Sequence, residues 1–111
     1  MVLDCRFLRK PHWEADLRES DGRDPAVAAY VADDPLYTPF LDHLTTMAKM
    51  LLPAYRREGK SYFCIGLGCT GGRHRSVAVA EELKLRLESI GWRAIVRHRE
   101  LERREIGRAH V

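Results

Sequence analysis

Residues 61–76 read Ser61-Tyr62-Phe63-Cys64-Ile65-Gly66-Leu67-Gly68-Cys69-Thr70-Gly71-Gly72-Arg73-His74-Arg75-Ser76. Ser61–Leu67 is short, rich in aromatic and aliphatic residues and bounded by glycine, so it reads as a strand buried on both faces. Gly68–Gly72 reads as a loop. From Arg73 to Ile90, Val79, Leu83, Leu87 and Ile90 share one helical face, with Glu81, Glu82, Lys84 and Arg86 elsewhere. Gly91 closes that helix, and Trp92–His98 reads as another strand. Strand, glycine loop, helix, strand is the sequence form of a right-handed βαβ unit. The fold class is therefore α/β, with a small, mostly parallel sheet and flanking helices.

Upstream, Leu3–Leu8 alternates weakly and predicts a short strand. His12–Asp24 is polar and turn-rich, ending in Ser20-Asp21-Gly22. Asp24-Pro25 starts a helix, with Asp as N-cap and Pro at the first helical position. Leu36–Tyr55 carries the longest helical pattern. Leu41, Leu44, Ala48, Leu51, Leu52 and Tyr55 recur at three- and four-residue steps, and Pro53 should thin the last turn. Cys5 and Cys64 read as small buried apolar residues, and Trp13 and Trp92 as packing residues.

A chain of 111 residues holds one ordinary core. Its 45% hydrophobic and 32% charged residues exclude a disordered or fibrous protein. No run of 18 apolar residues marks a membrane span, and the N-terminus is too charged for a secretory signal. Three cysteines without a Cys-x-x-Cys argue against a disulfide framework or zinc site and suit a reducing cytoplasm. Five scattered histidines give no metal-ligand spacing. No resident cofactor is expected.

The chemistry concentrates at Gly68–Ser76. At a strand-to-helix junction the first helical amides lack intrahelical partners, and the helix dipole adds positive potential. Gly71 and Gly72 permit close backbone approach, Thr70 and Ser76 supply hydroxyls, and Arg73, His74 and Arg75 supply cations. Each cation opposes the dipole by about 0.3–1 kcal/mol. A charge-assisted contact to phosphate returns about 1.5–3 kcal/mol, so the pattern suits a bound anion. It is not a nucleotide P-loop, which needs Lys before the hydroxyl residue. The glycines Gly66, Gly68 and Gly71 match a dinucleotide fingerprint only weakly.

Cys69-x5-Arg75 followed by Ser76 also resembles the signature loop of cysteine-dependent phosphatases, where a thiolate attacks phosphorus and Arg clamps the oxygens. Gly68 stands where that family usually has His. Asp21, Asp24, Asp33 and Asp34 are the candidates for its general acid.

Asp4, Arg6 and His12 flank the first strand, and His12 lies where it could face the glycine loop. Between Trp92 and Arg104 five arginines stand against two glutamates, an excess of three positive charges that equals the net charge of the chain. Such a density suits a polyanion partner.

The stretches Asp4-Cys5-Arg6-Phe7-Leu8, Pro11-His12-Trp13, Gly59-Lys60-Ser61-Tyr62, Gly66–Val77 and Arg97-His98-Arg99-Glu100-Leu101-Glu102 closely resemble the C-terminal domain of the RapZ/YvcJ family. The resemblance covers nearly all of residues 3–104. It implies a fold similar to part of the phosphofructokinase sugar-phosphate fold. It implies glucosamine-6-phosphate sensing, small regulatory RNA binding and presentation of that RNA to RNase E, in a homo-oligomer. The implied phosphosugar pocket comprises Asp4, Ser61, Cys69, Thr70, Gly71, His74 and Arg75, with Arg6 and His12 nearby; Gly72 and Ser76 join it from the loop reading above. The implied RNA contacts are Arg73, Arg97 and Arg99. ATP or GTP hydrolysis belongs to the family's N-terminal half, which this chain lacks, so no catalysis is expected here. Arg9-Lys10 replace the family's usual Pro-Asn. The domain is expected to span 1–104, missing a strand before Leu3. The tail 105–111 reads like a translated sequencing adapter and is expected to be foreign.

Overall fold

The computed structural model describes residues 1–10, 17, 19–60 and 62–102. His12, Ser61, Trp13 and the expected foreign tail lie outside them. Two short strands, β1 (Val2–Asp4) and β2 (Gly66–Gly68), pair in parallel with Val2, Leu3 and Asp4 opposite Gly66, Leu67 and Gly68. Between them run helices α1 (Pro25–Ala32) and α2 (Tyr37–Arg57), and α3 (Arg75–Ser89) follows β2.

Local chemistry sets the element ends. The Asp4 carboxylate accepts the Arg6 amide at 2.9 Å, turning the chain and stopping β1 well short of Leu8. Asp24 caps α1 by accepting the Ala26 amide at 2.8 Å, with Pro25 in the first turn. Helix α2 continues through Pro53 to Arg57, burying Leu41, Leu44 and Ala48, with Leu51, Leu52 and Tyr55 half-buried.

Alternation along the strands decides which face is covered. Leu3, Cys5, Leu67 and Cys69 pack toward a core of Val27, Val31, Leu41, Leu44, Val79 and Leu83 contributed by α1, α2 and α3. Val2, Asp4 and Gly68 are exposed.

Two strand expectations need correction. Ser61–Leu67 is not buried on both faces: Tyr62 is 83% exposed and Cys64 is exposed. Helices α1, α2 and α3 contact one another and α3 packs on β2, while alternate side chains of residues 62–67 meet solvent. The ladder itself covers only Gly66–Gly68. Trp92–His98 is neither helical nor part of any ladder among the described residues. Its fixed points lie on α3: the Trp92 amide donates to the Leu87 carbonyl at 3.0 Å, and His98 Nε2 lies 2.7 Å from Glu81 Oε1. It therefore runs back along the helix, with Ile95 77% exposed.

Candidate functional site

Because β1 and β2 are parallel, Asp4 and Gly68 end at the same edge of the sheet, where open α/β folds gather ligands. The pairing persists one residue further, as the Cys5 amide donates to the Gly68 carbonyl at 2.7 Å. Beyond it, Arg6 Nε donates to both Asp4 oxygens, at 2.8 and 3.0 Å. That hydrogen bond, aided by the Arg6 amide, holds the Asp4 carboxyl below the usual carboxylate range. Both side chains stay largely exposed.

Cys69 is extended, and Thr70–Gly72 makes one 3-10 turn ending on Gly72 at φ 63°. This left-handed residue turns the backbone so that amides face the Cys69 sulfur. The Ser76 amide donates to Cys69 Sγ at 3.3 Å, and the thiol donates to Ser76 Oγ at 3.2 Å. The Gly72 and His74 amides also favour the ionised form of the sulfur. Burial pushes the thiol pKa up, but the ionised sulfur can accept from the Ser76 hydroxyl and is favoured by the nearby amides, and the net direction is down. The start of α3 thus already stabilises negative charge, on a residue of its own loop.

Arg75 is buried, with 4% exposure. Its Nη1 donates to the carbonyls of Arg6 at 2.6 Å and Leu8 at 3.2 Å, tying the first turn of α3 to the turn after β1. Its charge contributes to the lowering at Asp4. His74 and Ser76 are buried beside it, whereas Thr70 is exposed at the rim. The structure therefore brings Asp4, Arg6, Cys69, Thr70, Gly71, Gly72, His74, Arg75 and Ser76 to one end of the sheet.

Arg73 points toward the preceding loop. Its Nη2 donates to the Glu19 carbonyl at 3.1 Å, its own carbonyl accepts the Gly22 amide at 2.7 Å, and its buried Nε has no hydrogen-bond partner among the described residues. Gly22 is the functional-region residue that sequence reasoning missed. A Cβ there would stand 2.4 Å from both the Ala78 nitrogen and the His74 oxygen. The Ser20-Asp21-Gly22 turn marked a loop but gave no sign that it packs on α3.

The basic segment abuts the loop. Arg97 Nε and Nη2 each donate to Glu102 at 2.9 Å, while the Arg97 side chain stays 77% exposed. Arg99 is exposed. A Cβ on Gly72 would stand 2.8 Å from Glu100 Cγ, so a carboxylate-bearing side chain lies over the turn. Among the described residues no group of three His, Cys, Asp or Glu could hold a metal ion, and no helix is long and apolar enough to cross a membrane.

A family model described as the RapZ C-terminal domain matches residues 1–102. A nucleotide-binding protein of Ruegeria pomeroyi is 56% identical over 105 residues, covering 95% of this chain and 37% of the relative. One from Dinoroseobacter shibae is 55% identical over 107 residues, covering 96% and 36%. One from Rhodospirillum rubrum is 55% identical over 102 residues, covering 92% and 32%. The chain spans about a third of the length of these relatives.

Proposed function

Because the chain belongs to the RapZ C-terminal domain family, we propose that it is a non-catalytic recognition domain that senses a sugar phosphate at the Gly68–Ser76 loop and binds RNA through its basic surface. The convergence of amides carries this reading. The Ser76 amide donates to the Cys69 sulfur at 3.3 Å, and the Gly72 and His74 amides add to the pull that lowers its pKa. Thr70 and the Arg6–Asp4 ion pair stand exposed at the rim, where a phosphoryl group would have to compete with Asp4 for the guanidinium. Glucosamine-6-phosphate is the proposed guest. Exposed Arg97 and Arg99 beside the loop suit the phosphate backbone of a small regulatory RNA. RNase E as recipient of that RNA, a homo-oligomeric state and a cytoplasmic location belong to the same proposal. Nucleotide binding, for which the relatives are named, is assigned to the two-thirds of their length outside this match.

Thermal unfolding tests it. Glucosamine-6-phosphate should raise the Tm where glucosamine does not, and Arg6→Ala and Thr70→Ala should shrink the shift. No shift with any sugar phosphate would reject the sensor.

A second reading, the cysteine-dependent phosphatase, is favoured by the position of Cys69 Sγ among loop amides. The acid it needs is missing from the expected places. Asp21 is held ionised by Arg23, and Asp24 caps α1. Asp33 pairs with Arg9, and Asp34 accepts the Leu36 amide. Aryl-phosphate hydrolysis that disappears in Cys69→Ser would establish this reading over the first.

A further inference from the structure

We infer that Cys69 and Cys5 form a peroxide-sensitive dithiol, in which Cys69 is the site of oxidation and Cys5 the resolving thiol. Three observations carry this. The parallel register runs Asp4 opposite Gly68, and the Cys5 amide still bonds the Gly68 carbonyl, so Cys5 stands opposite Cys69. Adjacent strands lie about 4.8 Å apart, inside the Cα separation of about 4.4–6.8 Å that a disulfide spans. Both cysteines pack toward the same helix-covered face, so their Cβ atoms leave the sheet on one side.

The two thiols are unlike in access. Cys69 is half-exposed and sits just before α3, with the Ser76 amide bonded to its sulfur. Cys5 is fully buried, and burial pushes its thiol pKa up to about 12. Oxidation therefore starts at Cys69. Its thiolate attacks one oxygen of hydrogen peroxide, the O–O bond breaks, and hydroxide leaves; with one proton this gives the Cys69 sulfenic acid and water. Cys5 then attacks the Cys69 sulfur, the S–O bond breaks, and the Cys5 proton joins the departing hydroxide as a second water. Two thiols and one peroxide become one disulfide and two waters. The chemistry does not depend on which anion the loop accepts.

Peptide mapping after hydrogen peroxide tests the pair. The Cys64→Ser background is required, because trypsin cleaves after Lys60 and Arg73 and leaves Cys64 and Cys69 on one peptide. The expected product is an unreduced peptide joining Cys5 to Cys69. Replacing Cys5→Ala in that background should instead leave a Cys69 sulfenic acid trapped by dimedone. The single-variant map decides by itself should the double variant fail to fold. Cys69 sulfenic acid accumulating unlinked beside a free Cys5 would overturn the inference. So would two free thiols at a peroxide dose that oxidises free cysteine.

Discussion

Arg75 Nη1 donates to the Arg6 carbonyl at 2.6 Å across 69 residues of sequence. The same nitrogen reaches the Leu8 carbonyl at 3.2 Å, so one buried guanidinium joins the helix after the glycine loop to the turn after β1. A cation placed at a helix N-terminus against the dipole is thus retained by carbonyls of the neighbouring segment. The alignment of the two halves of the site depends on it.

Truncating that side chain should be costly. Arg75→Ala removes two charge-assisted hydrogen bonds, each contributing about 1.5–3 kcal/mol, from a buried position. A loss of about 3 kcal/mol in urea unfolding is expected. Arg75→Lys should recover part of it, since a single ammonium cannot reproduce the planar fork.

The two facing thiols should give opposite pH dependences. Cys69 has its folded pKa lowered from 9.0, so it contributes stability present above pH 9 and lost as pH falls through the lowered value. Cys5 has its folded pKa raised to about 12, so stability falls as pH rises from 9 toward 12. That slope is at most about 1.4 kcal/mol per pH unit. Urea unfolding against pH should show Cys5→Ala removing the alkaline loss and Cys69→Ala the loss on the acid side.

Two glycines should separate backbone collision from backbone strain. Gly22→Ala drives a Cβ into the Ala78 nitrogen and His74 oxygen. Because backbone atoms cannot swing aside, a loss of about 3 kcal/mol or more is expected. Gly72→Ala meets only the Glu100 side chain and otherwise adds left-handed strain of about 1–2 kcal/mol. Adding Glu100→Ala should relieve the collision and leave the strain, so the double variant should unfold later than the sum of the singles implies.

RNA binding through phosphates should fall steeply with salt. Arg99→Ala should lower the slope of log Kd against log salt by about 1 and weaken binding uniformly across sequences. Filter binding at several salt concentrations measures it. A salt-independent affinity would remove the phosphate-backbone interface.

The helices and the glycine loop were legible because their signals are local. Asp24-Pro25 caps a helix by its own chemistry, and the spacing of Leu41, Leu44 and Ala48 needs no partner to be read. Cys5 was legible as a core residue, whereas Cys64 was not. Cys5 packs into the helix-covered core and Cys64 is exposed, and that difference is a tertiary fact. Trp92–His98 has the composition of a strand, but its ladder depended on a neighbour, and the Glu81–His98 contact fixes the segment to α3. In the site, the loop and its proximity to Asp4 and Arg6 could be inferred from topology. The burial of Arg75 against two carbonyls, the Cys69 sulfur among the amides and the approach of Glu100 to Gly72 arise from long-range packing, which spacing does not encode.

The most direct measurement follows the backbone amide resonances of Gly72, His74 and Ser76 while glucosamine-6-phosphate is added, with glucosamine as control. The account predicts saturable shifts concentrated at those three amides and at Arg6, produced by the phosphosugar alone. Resonances that stay fixed through the titration, or that move equally with the unphosphorylated sugar, would contradict it.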